Sequence, residues 1–250
     1  MQRYTRIFGI FLFCVIFIFC IFPSVVSAEE NVIDTSHAAE GYFTVYSDVD
    51  SPKMKVGVTL NQQTVYYNYT VGETWNYAFE RGNGEYVINL YSNVSGTQYK
   101  RIAYENVTVE LDDEFAPFLA STWEVGFSTD DEVCQKACEI CEDLPSNFAK
   151  TVTIYNYLFK HISYDYELAA NIESGVIKTY TPNPVEVLNR QKGVCYDYAA
   201  LFAAMCRSQG IPCTIVKGYY RNAYHAWNKV YANNRWYEID LVAGTHKKLT

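Results

Sequence analysis

The chain has 250 residues, enough for one large domain or two small ones. Its residues are 49% hydrophobic and 16% aromatic, so a packed core is feasible, and its formal net charge is −8. An acidic chain without a basic cluster is a poor candidate for binding nucleic acid or an anionic membrane, and we predict neither as a partner.

Residues 1–28 have the pattern of a secretory signal peptide. Arg3 and Arg6 precede an apolar run of about sixteen residues, and the small-residue cleavage site Val26-Ser27-Ala28 follows it. The competing interpretation is an uncleaved membrane anchor, for which the apolar run is slightly short. We expect cleavage after Ala28, which makes the mature chain secreted or cell-surface (extracellular) and leaves it without membrane contact.

Residues 41–112 predict a small all-β domain, preceded by a polar, flexible start over residues 29–40. After Gly41, polar and apolar side chains alternate in short segments separated by turn residues, which predicts five to seven strands. So many strands in about 70 residues are typical of an antiparallel sandwich. The segment Gly84–Tyr91 resembles the late strand of immunoglobulin-like modules. We therefore predict an immunoglobulin-like sandwich that carries no chemistry of its own.

Residues 122–250 predict helices packed on an antiparallel sheet, which is an α+β arrangement. Residues 166–182 have the composition of a loop. The predicted helices cover residues 130–142, 148–161 with Ser146 or Asn147 as N-cap, 184–188, and a longer stretch from Cys195 to the stop at Gln209-Gly210. The predicted strands are Cys213–Tyr219, Tyr224–Tyr231 and Arg235–Leu241, with Asn233-Asn234 between the last two.

The helix that begins at Cys195 is the most informative stretch of the chain. Gly193 allows close backbone approach just before it, and positions 195, 198, 199, 202, 205 and 206 predict one buried stripe. At a helix N-terminus, unpaired N–H groups and the helix dipole stabilise a thiolate, and they can also stabilise an oxyanion. Cys195 therefore suits a nucleophile. The alternative is a small buried hydrophobe in a core helix.

His225 and Asp240 lie in the last two predicted strands. If Asn233-Asn234 are the two central residues of a hairpin turn, Tyr231 lies opposite Trp236. His225 and Asp240 are then diagonal neighbours on one face of the sheet, within side-chain reach of each other. A turn shifted by one residue would place them directly opposite, and a one-residue bulge would put them on opposite faces.

Together, Cys195, His225 and Asp240 fit acyl transfer on an amide. The thiolate attacks, His225 holds and returns the proton, and Asp240 orients the imidazole. The backbone N–H of Cys195 is the default oxyanion donor, with Gln191 and Tyr164 as side-chain candidates. The alternatives are a structural histidine, a turn aspartate, or a zinc site built from all three residues. The spacing is explained without a metal, and we predict no metal and no cofactor.

The segment from Ser146 to Leu241 resembles the transglutaminase-like family of bacterial secreted proteins, within the papain-like Cys-His-Asp superfamily. The matching segments are Ile162–Asp165, Gly193–Ala199, Arg207–Pro212, Gly218-Tyr219, His225–Asn228 and Trp236–Asp240. The resemblance implies a papain/transglutaminase-like catalytic domain over residues 122–250, with Cys195 as nucleophile, His225 as base and Asp240 as orienter. It also implies metal-free chemistry. The family usually continues this Asp with more sheet, whereas Leu241–Lys248 departs from the pattern and leaves the last strand in question.

These residues predict an exported cysteine-dependent enzyme that acts on peptide or side-chain amide bonds, as a peptidase, an amidase or a transglutaminase. Hydrolysis is favoured over cross-linking because nothing marks a second amine-binding site. The partner is then a protein or peptide substrate, a cell-wall peptide being one candidate. The alternative is a non-catalytic cell-surface binding or adhesion protein that uses the same scaffold.

Six cysteines remain after residue 28, and an exported chain can form disulfides. If Cys195 stays free, five are left, so one must be unpaired or bonded elsewhere. Cys206 and Cys213 flank the turn after the central helix and could pair. The cysteines at positions 134, 138 and 141 share one helix face, and their spacing favours a structural role over a metal site.

Overall fold

A computed structural model describes residues 31–220, 223–243 and 245–248 of the chain. The predicted signal peptide lies outside the described residues. Within the described ranges, no helix is both long enough and apolar enough to span a bilayer.

The first half of the described chain is all β and forms two antiparallel sheets. One sheet has the strand order β1-β2-β5 and the other the order β4-β3-β6-β7. The strands are β1 (Asn31–Asp34), β2 (Tyr42–Ser47), β3 (Met54–Leu60), β4 (Gln63–Tyr69), β5 (Trp75–Ala78), β6 (Gly84–Ser95) and β7 (Gln98–Val109).

The two sheets share one hydrophobic core, because alternate side chains of their strands point inward. β2 shows this alternation from end to end, with every second residue buried. The largest fully buried side chains of this core are Phe43, Tyr77, Phe79, Tyr86, Ile88 and Leu90. The β3–β4 hairpin turns through Asn61 and Gln62, whose φ angles of 50° and 63° are those of a tight hairpin turn.

The polar start of this region is more ordered than its composition predicts. Residues 31–34 form β1, which pairs with β2 from Asn31↔Ser47 to Asp34↔Thr44. The expectation of a flexible segment over residues 29–40 is therefore wrong for residues 31–34. Backbone pairing with β2 orders a strand too short to show a convincing alternation of its own. The short strand β5 was likewise not distinguished in the sequence.

The second half is α+β, as predicted. A 3-10 helix (Ala116–Phe118) leads into five helices, and antiparallel strands in the order β10-β11-β12-β13 complete it. The elements are α1 (Glu132–Cys141), α2 (Asn147–His161), β8 (Ser163–Tyr164), α3 (Tyr166–Glu173), α4 (Pro184–Arg190), β9 (Lys192–Gly193), α5 (Cys195–Ser208), β10 (Cys213–Tyr220), β11 (Ala223–Ala232), β12 (Arg235–Asp240) and β13 (Thr245–Lys248).

The central helix α5 is buried on all sides after its first two residues. The predicted stripe residues after Cys195 are buried, but so is every other residue from Asp197 to Arg207, so burial is not confined to one face. Helices α1, α2 and α4 pack around it together with strands β10 and β11. Four small side chains, Ala199, Ala200, Ala203 and Ala204, let these neighbours approach the helix backbone closely.

Two further elements correct the sequence-based expectations. Residues 166–173 are helical, not loop, because the Asp165 carboxylate accepts a hydrogen bond from the N–H of Leu168 and caps α3. The helix has eight residues and buries none of them fully. Strand β13 pairs with β12, so the sheet continues after Asp240 despite the atypical sequence there.

Glu80 joins the two halves. Its carboxylate accepts a hydrogen bond from Arg207 of α5 at 2.9 Å and another from the hydroxyl of Thr214 in β10. Arg207 is buried and also donates to the carbonyls of Ala120 and Cys213. This shared hydrogen bonding anchors the far end of α5 to the first half of the chain.

Candidate active site

Cys195 is the first residue of α5 and is partly exposed. The N–H groups of the first helical turn lack carbonyl partners within the helix, so they are available to a bound oxyanion. Gly193 is required just before the helix, because a Cβ there would lie 2.5 Å from the Cβ of Asp197. The close approach expected at Gly193 is thus present, and it is the aspartate side chain that makes it necessary.

A buried carboxylate that sequence reasoning missed holds this helix start in place. Asp197 is fully buried and accepts hydrogen bonds from the Val194 N–H at 2.9 Å, Arg190 Nη2 at 3.0 Å and the Tyr180 hydroxyl at 2.7 Å. Burial raises the pKa of Asp197, and the hydrogen bonds from Tyr180 and Val194, with the charge of Arg190, oppose that rise. An acidic residue in the first turn was the available signal, but a valine at the N-cap concealed the capping pattern.

The hairpin that carries His225 and Asp240 has the predicted register. Tyr231 pairs with Trp236 across β11 and β12, and the turn residues Asn233-Asn234 have φ angles of 49° and 58°. The pairing runs without a bulge from Asn228↔Ile239 to Ala232↔Arg235. The two side chains therefore meet on one face of the sheet, as counting back from the turn predicts.

His225 lies between an acid and a thiol. Its Nε2 is 2.9 Å from Oδ2 of Asp240, and the ring is also close enough to the Cys195 thiol to interact with it. A protonated imidazole donates from both nitrogens, so the bond to Asp240 leaves Nδ1 for the thiol. The indole of Trp227 stacks on the ring, with centroids 6.0 Å apart and planes 19° apart. The structure thus brings all three predicted site residues together.

The electrostatics of the pair favour a charged imidazole. The hydrogen bond to Asp240, then the one to Cys195, raise the pKa of His225 to about 9, against the opposing effect of burial. Burial alone would raise the pKa of Asp240, but the bonds from His225 and from the N–H groups of Ala243 and Val242 outweigh it and lower that pKa. The side chains of His225 and Asp240 are only 12% and 14% exposed, so water screens their interaction little.

The two candidate side-chain oxyanion donors are placed differently. Tyr164 belongs to β8 and pairs with Gly193 of β9, two residues before Cys195. Burial, and then the nearby Cys195, raise the pKa of Tyr164. Gln191 is the exposed C-cap of α4, and its carbonyl accepts a hydrogen bond from the N–H of Ser163. Of the two, Tyr164 is the one whose side chain interacts electrostatically with the thiol.

The other cysteines are free thiols in the structure. Cys206 and Cys213 are buried; burial, and then a hydrogen bond to Cys213, raise the pKa of Cys206. Burial also raises the pKa of Cys134 to about 11. Cys138 is exposed, so it and Cys195 are the more accessible thiols of the described chain. Within the described residues, no three His, Cys, Asp or Glu side chains converge as ligands of one metal ion.

Comparison with known proteins gives a family for this region. Residues 135–241 match the family model of the transglutaminase-like superfamily. A 119-residue segment is 31% identical to kyphoscoliosis peptidase of Mus musculus and 29% identical to that of Homo sapiens. In both cases the match covers 43% of this chain and 17% of the relative. The chain thus spans only a small part of the curated relatives that it matches.

Two solved structures are also similar to this chain. A TGase structure has 23% sequence identity and a TM-score of 0.38, over 48% of this chain and 34% of that chain. The periplasmic domain of TgpA from Pseudomonas aeruginosa has 13% identity and a TM-score of 0.40, over 87% of this chain and 97% of that chain. For residues 135–241, the family match confirms the transglutaminase-like resemblance inferred from the sequence motifs.

Proposed function

We propose that the chain is a cysteine-dependent acyl-transfer enzyme acting on peptide or side-chain amides, with Cys195, His225 and Asp240 as its catalytic triad. One observation carries the proposal: the His225 ring hydrogen-bonds to Asp240 and interacts with the Cys195 thiol at the N-terminus of a buried helix. A merely structural histidine does not require this combination of neighbours.

In the first half-reaction, the thiolate of Cys195 attacks the amide carbonyl carbon and forms a C–S bond. The carbonyl oxygen becomes an oxyanion, which the N–H groups at the start of α5 stabilise. His225, held protonated by Asp240, gives its proton to the amine as the C–N bond breaks. The products of this step are a free amine and a thioester on Cys195.

In the second half-reaction, neutral His225 accepts a proton from the attacking group as that group replaces the thiolate. Water as acceptor gives a carboxylic acid, and a primary amine gives a new amide. We favour hydrolysis because water needs no second binding site, and because the relatives that match this domain are named peptidases.

The decisive experiment is incubation of the protein with a peptide library, with and without a primary amine, followed by mass spectrometry. Hydrolysis of a peptide bond gives two fragments that together carry one added water, and hydrolysis of a side-chain amide replaces ammonia by water. Transfer instead replaces the leaving amine by the added primary amine. We expect hydrolysis in both conditions, and its loss in Cys195→Ala but not in the exposed-thiol control Cys138→Ala. If the wild type gave neither hydrolysis nor transfer, and Cys195→Ala kept every measurable phenotype, the results would instead support a non-catalytic surface-binding protein.

The remaining features form a consistent setting for such an enzyme. We propose that residues 1–28 are an export signal and that the mature protein works outside the cytoplasm on protein or cell-wall peptides. We also propose that residues 41–112 are an immunoglobulin-like domain and residues 122–250 the catalytic domain. The two antiparallel sheets around one core support the immunoglobulin-like assignment of residues 41–112. N-terminal sequencing of the exported protein tests cleavage after Ala28.

A further inference from the structure

A small cavity of about 300 Å³ lies beside the candidate triad, at the lower end of the size range of ligand sites. None of its lining side chains is charged, and four of them are aromatic. The lining residues are Phe159, Tyr164, Tyr166, Tyr198, Leu241 and Val242.

The cavity borders the triad through three separate segments of the chain. Tyr198 lies three residues after Cys195 on α5, about one helical turn further on. Tyr164 pairs with Gly193, immediately before that helix. Leu241 and Val242 follow Asp240, and the N–H of Val242 donates to the Asp240 carboxylate.

The cavity has a closed base and an open rim. Tyr198 and Leu241 are 7% and 6% exposed, and the Tyr198 hydroxyl donates to the Ile162 carbonyl at 2.6 Å. That hydroxyl is therefore already satisfied. At the rim, Tyr166 is 78% exposed and Phe159 is 59% exposed. Large apolar side chains left this accessible beside a reactive site are a typical surface for a ligand.

From this juxtaposition we propose that the cavity is a specificity subsite that binds one apolar or aromatic side chain of the substrate, next to the amide that Cys195 attacks. The inference rests on the proposed function and adds a substrate class to it. Ring contacts and the exclusion of water from apolar surface would supply the binding energy. A charged side chain would lose hydration there without gaining a partner, and is disfavoured.

A direct test measures protection of Cys195 from iodoacetamide by blocked amino-acid amides. The probes are N-acetyl phenylalanine amide and N-acetyl leucine amide, compared with the N-acetyl amides of glutamate and lysine. We expect the two apolar probes to protect at concentrations at least about ten-fold lower than the charged ones. Equal protection by all four probes would overturn the proposal.

Charge placed at the rim gives a second test. Val242 is 38% exposed, so Val242→Lys and Val242→Glu are compatible with the fold. We expect Val242→Lys to weaken the protection of Cys195 by the apolar probes and to strengthen protection by the glutamate probe. Val242→Glu should strengthen protection by the lysine probe, and each change should be on the order of ten-fold. The matched control is Val94→Lys on β6, an exposed valine in the other half of the chain. A uniform change for all four probes would indicate a merely structural role and contradict the proposal.

A third variant guards against indirect effects through the Val242 N–H. Phe159→Ala removes a rim ring of α2 that stacks on Tyr155. We expect weaker protection by the apolar probes only. If Cys195 reacts rapidly but the apolar probes protect it no better than the charged ones, the subsite proposal is wrong and the proposed function stands. If Cys195 reacts no faster than the exposed Cys138 thiol, the proposed function fails and the subsite fails with it.

Discussion

The two halves of the chain bury different kinds of polar side chain. The buried polar residues of the β half are small and uncharged, namely Ser47, Ser51, Asn89 and Ser92. The α+β half buries two charged side chains, Asp197 and Arg207, and both belong to α5. Charged groups are costly to bury, so a chain is expected to retain them where they fix a geometry.

The positions of these two charges show what they fix. Asp197 binds the backbone before Cys195 and sets the start of α5, where the candidate chemistry lies. Arg207 binds Glu80 of the β half and sets the other end of the helix. Helix α5 is thus held at both ends by ion pairs, one beside the site and one at the boundary between the halves. Variants at each end separate these two roles.

The largest expected effect is that of Asp240→Asn on catalysis. We expect kcat/KM to fall roughly 10³-fold, because the amide cannot stabilise the charged imidazole or hold the same tautomer. The alkaline limit of the pH–rate profile should lie near pH 9 in the wild type and move toward 6.5 in the variant. The control is Asp131→Asn, the same substitution at a carboxylate that caps α1, where the amide oxygen can still accept from the Cys134 N–H. An unchanged alkaline limit would contradict the role given to Asp240.

The His225–Asp240 pair should also make stability depend on pH. Since the pKa of folded His225 is raised above 6.5, the folded state holds its proton more tightly. The stabilisation is fully present below pH 6.5 and is lost as the pH rises through about 9. The difference between these two pKa values corresponds to on the order of 3 kcal/mol of unfolding free energy. Asp240, whose pKa is lowered, stabilises above pH 3.8 and ceases to do so as the pH falls through its folded pKa.

Urea unfolding at a series of pH values measures this dependence. The loss between pH 6.5 and 9 should be much smaller in Asp240→Asn, because the largest cause of the raised pKa is gone. An equal loss in both proteins would assign the dependence to other groups.

Arg190→Met should destabilise the protein by about 2 kcal/mol, because it leaves the buried Asp197 carboxylate without its cation. The value is below that for a fully buried pair, since the Arg190 side chain is 36% exposed. The matched control is Lys192→Met, which removes an ion pair to Asp165 from a side chain that is 43% exposed. We expect Lys192→Met to lose at most about 1 kcal/mol of unfolding free energy. Denaturant unfolding measures the loss of unfolding free energy in both variants. Equal losses would contradict the claim that the Arg190–Asp197 pair stabilises the protein more than an exposed ion pair does.

The smallest effect is expected at the boundary between the halves. Glu80→Gln keeps the size of the side chain and one accepting oxygen but removes the charge that faces Arg207, and should cost about 1 kcal/mol of unfolding free energy. Because this site lies at the far end of α5, kcat/KM should change less than about three-fold. Glu85→Gln, at an exposed residue of β6, is the control. A large loss of activity in Glu80→Gln would show that the two ends of the helix are coupled.

Much of the fold follows from local sequence patterns. Helix starts at Asp131 and Ser146 have short polar N-cap side chains, and the hairpin at Asn233-Asn234 has residues that tolerate positive φ. The register of that hairpin was predictable because the turn fixes it, and the contact of His225 with Asp240 follows from the register. These are short-range signals that one sequence contains.

What the sequence did not reveal depends on contacts between distant segments. Strand β1 is ordered by pairing with β2, and α3 has a cap but no buried face. The sequence predicts one buried stripe on α5, whereas the helix is buried on every face, because its alanines let other elements pack closely around it. The partners of Asp197 come from Tyr180 and Arg190, which no helical or strand periodicity connects to it.

The most direct test of the central claim compares two thiols in one molecule. Cys195 and the exposed Cys138 are alkylated together with iodoacetamide at pH 7, and peptide mass spectrometry follows each rate. A thiolate held by a helix start and a protonated His225 should react at least about ten-fold faster than Cys138. The difference should disappear in urea. Equal rates in the folded protein would contradict the assignment of Cys195 as an activated nucleophile.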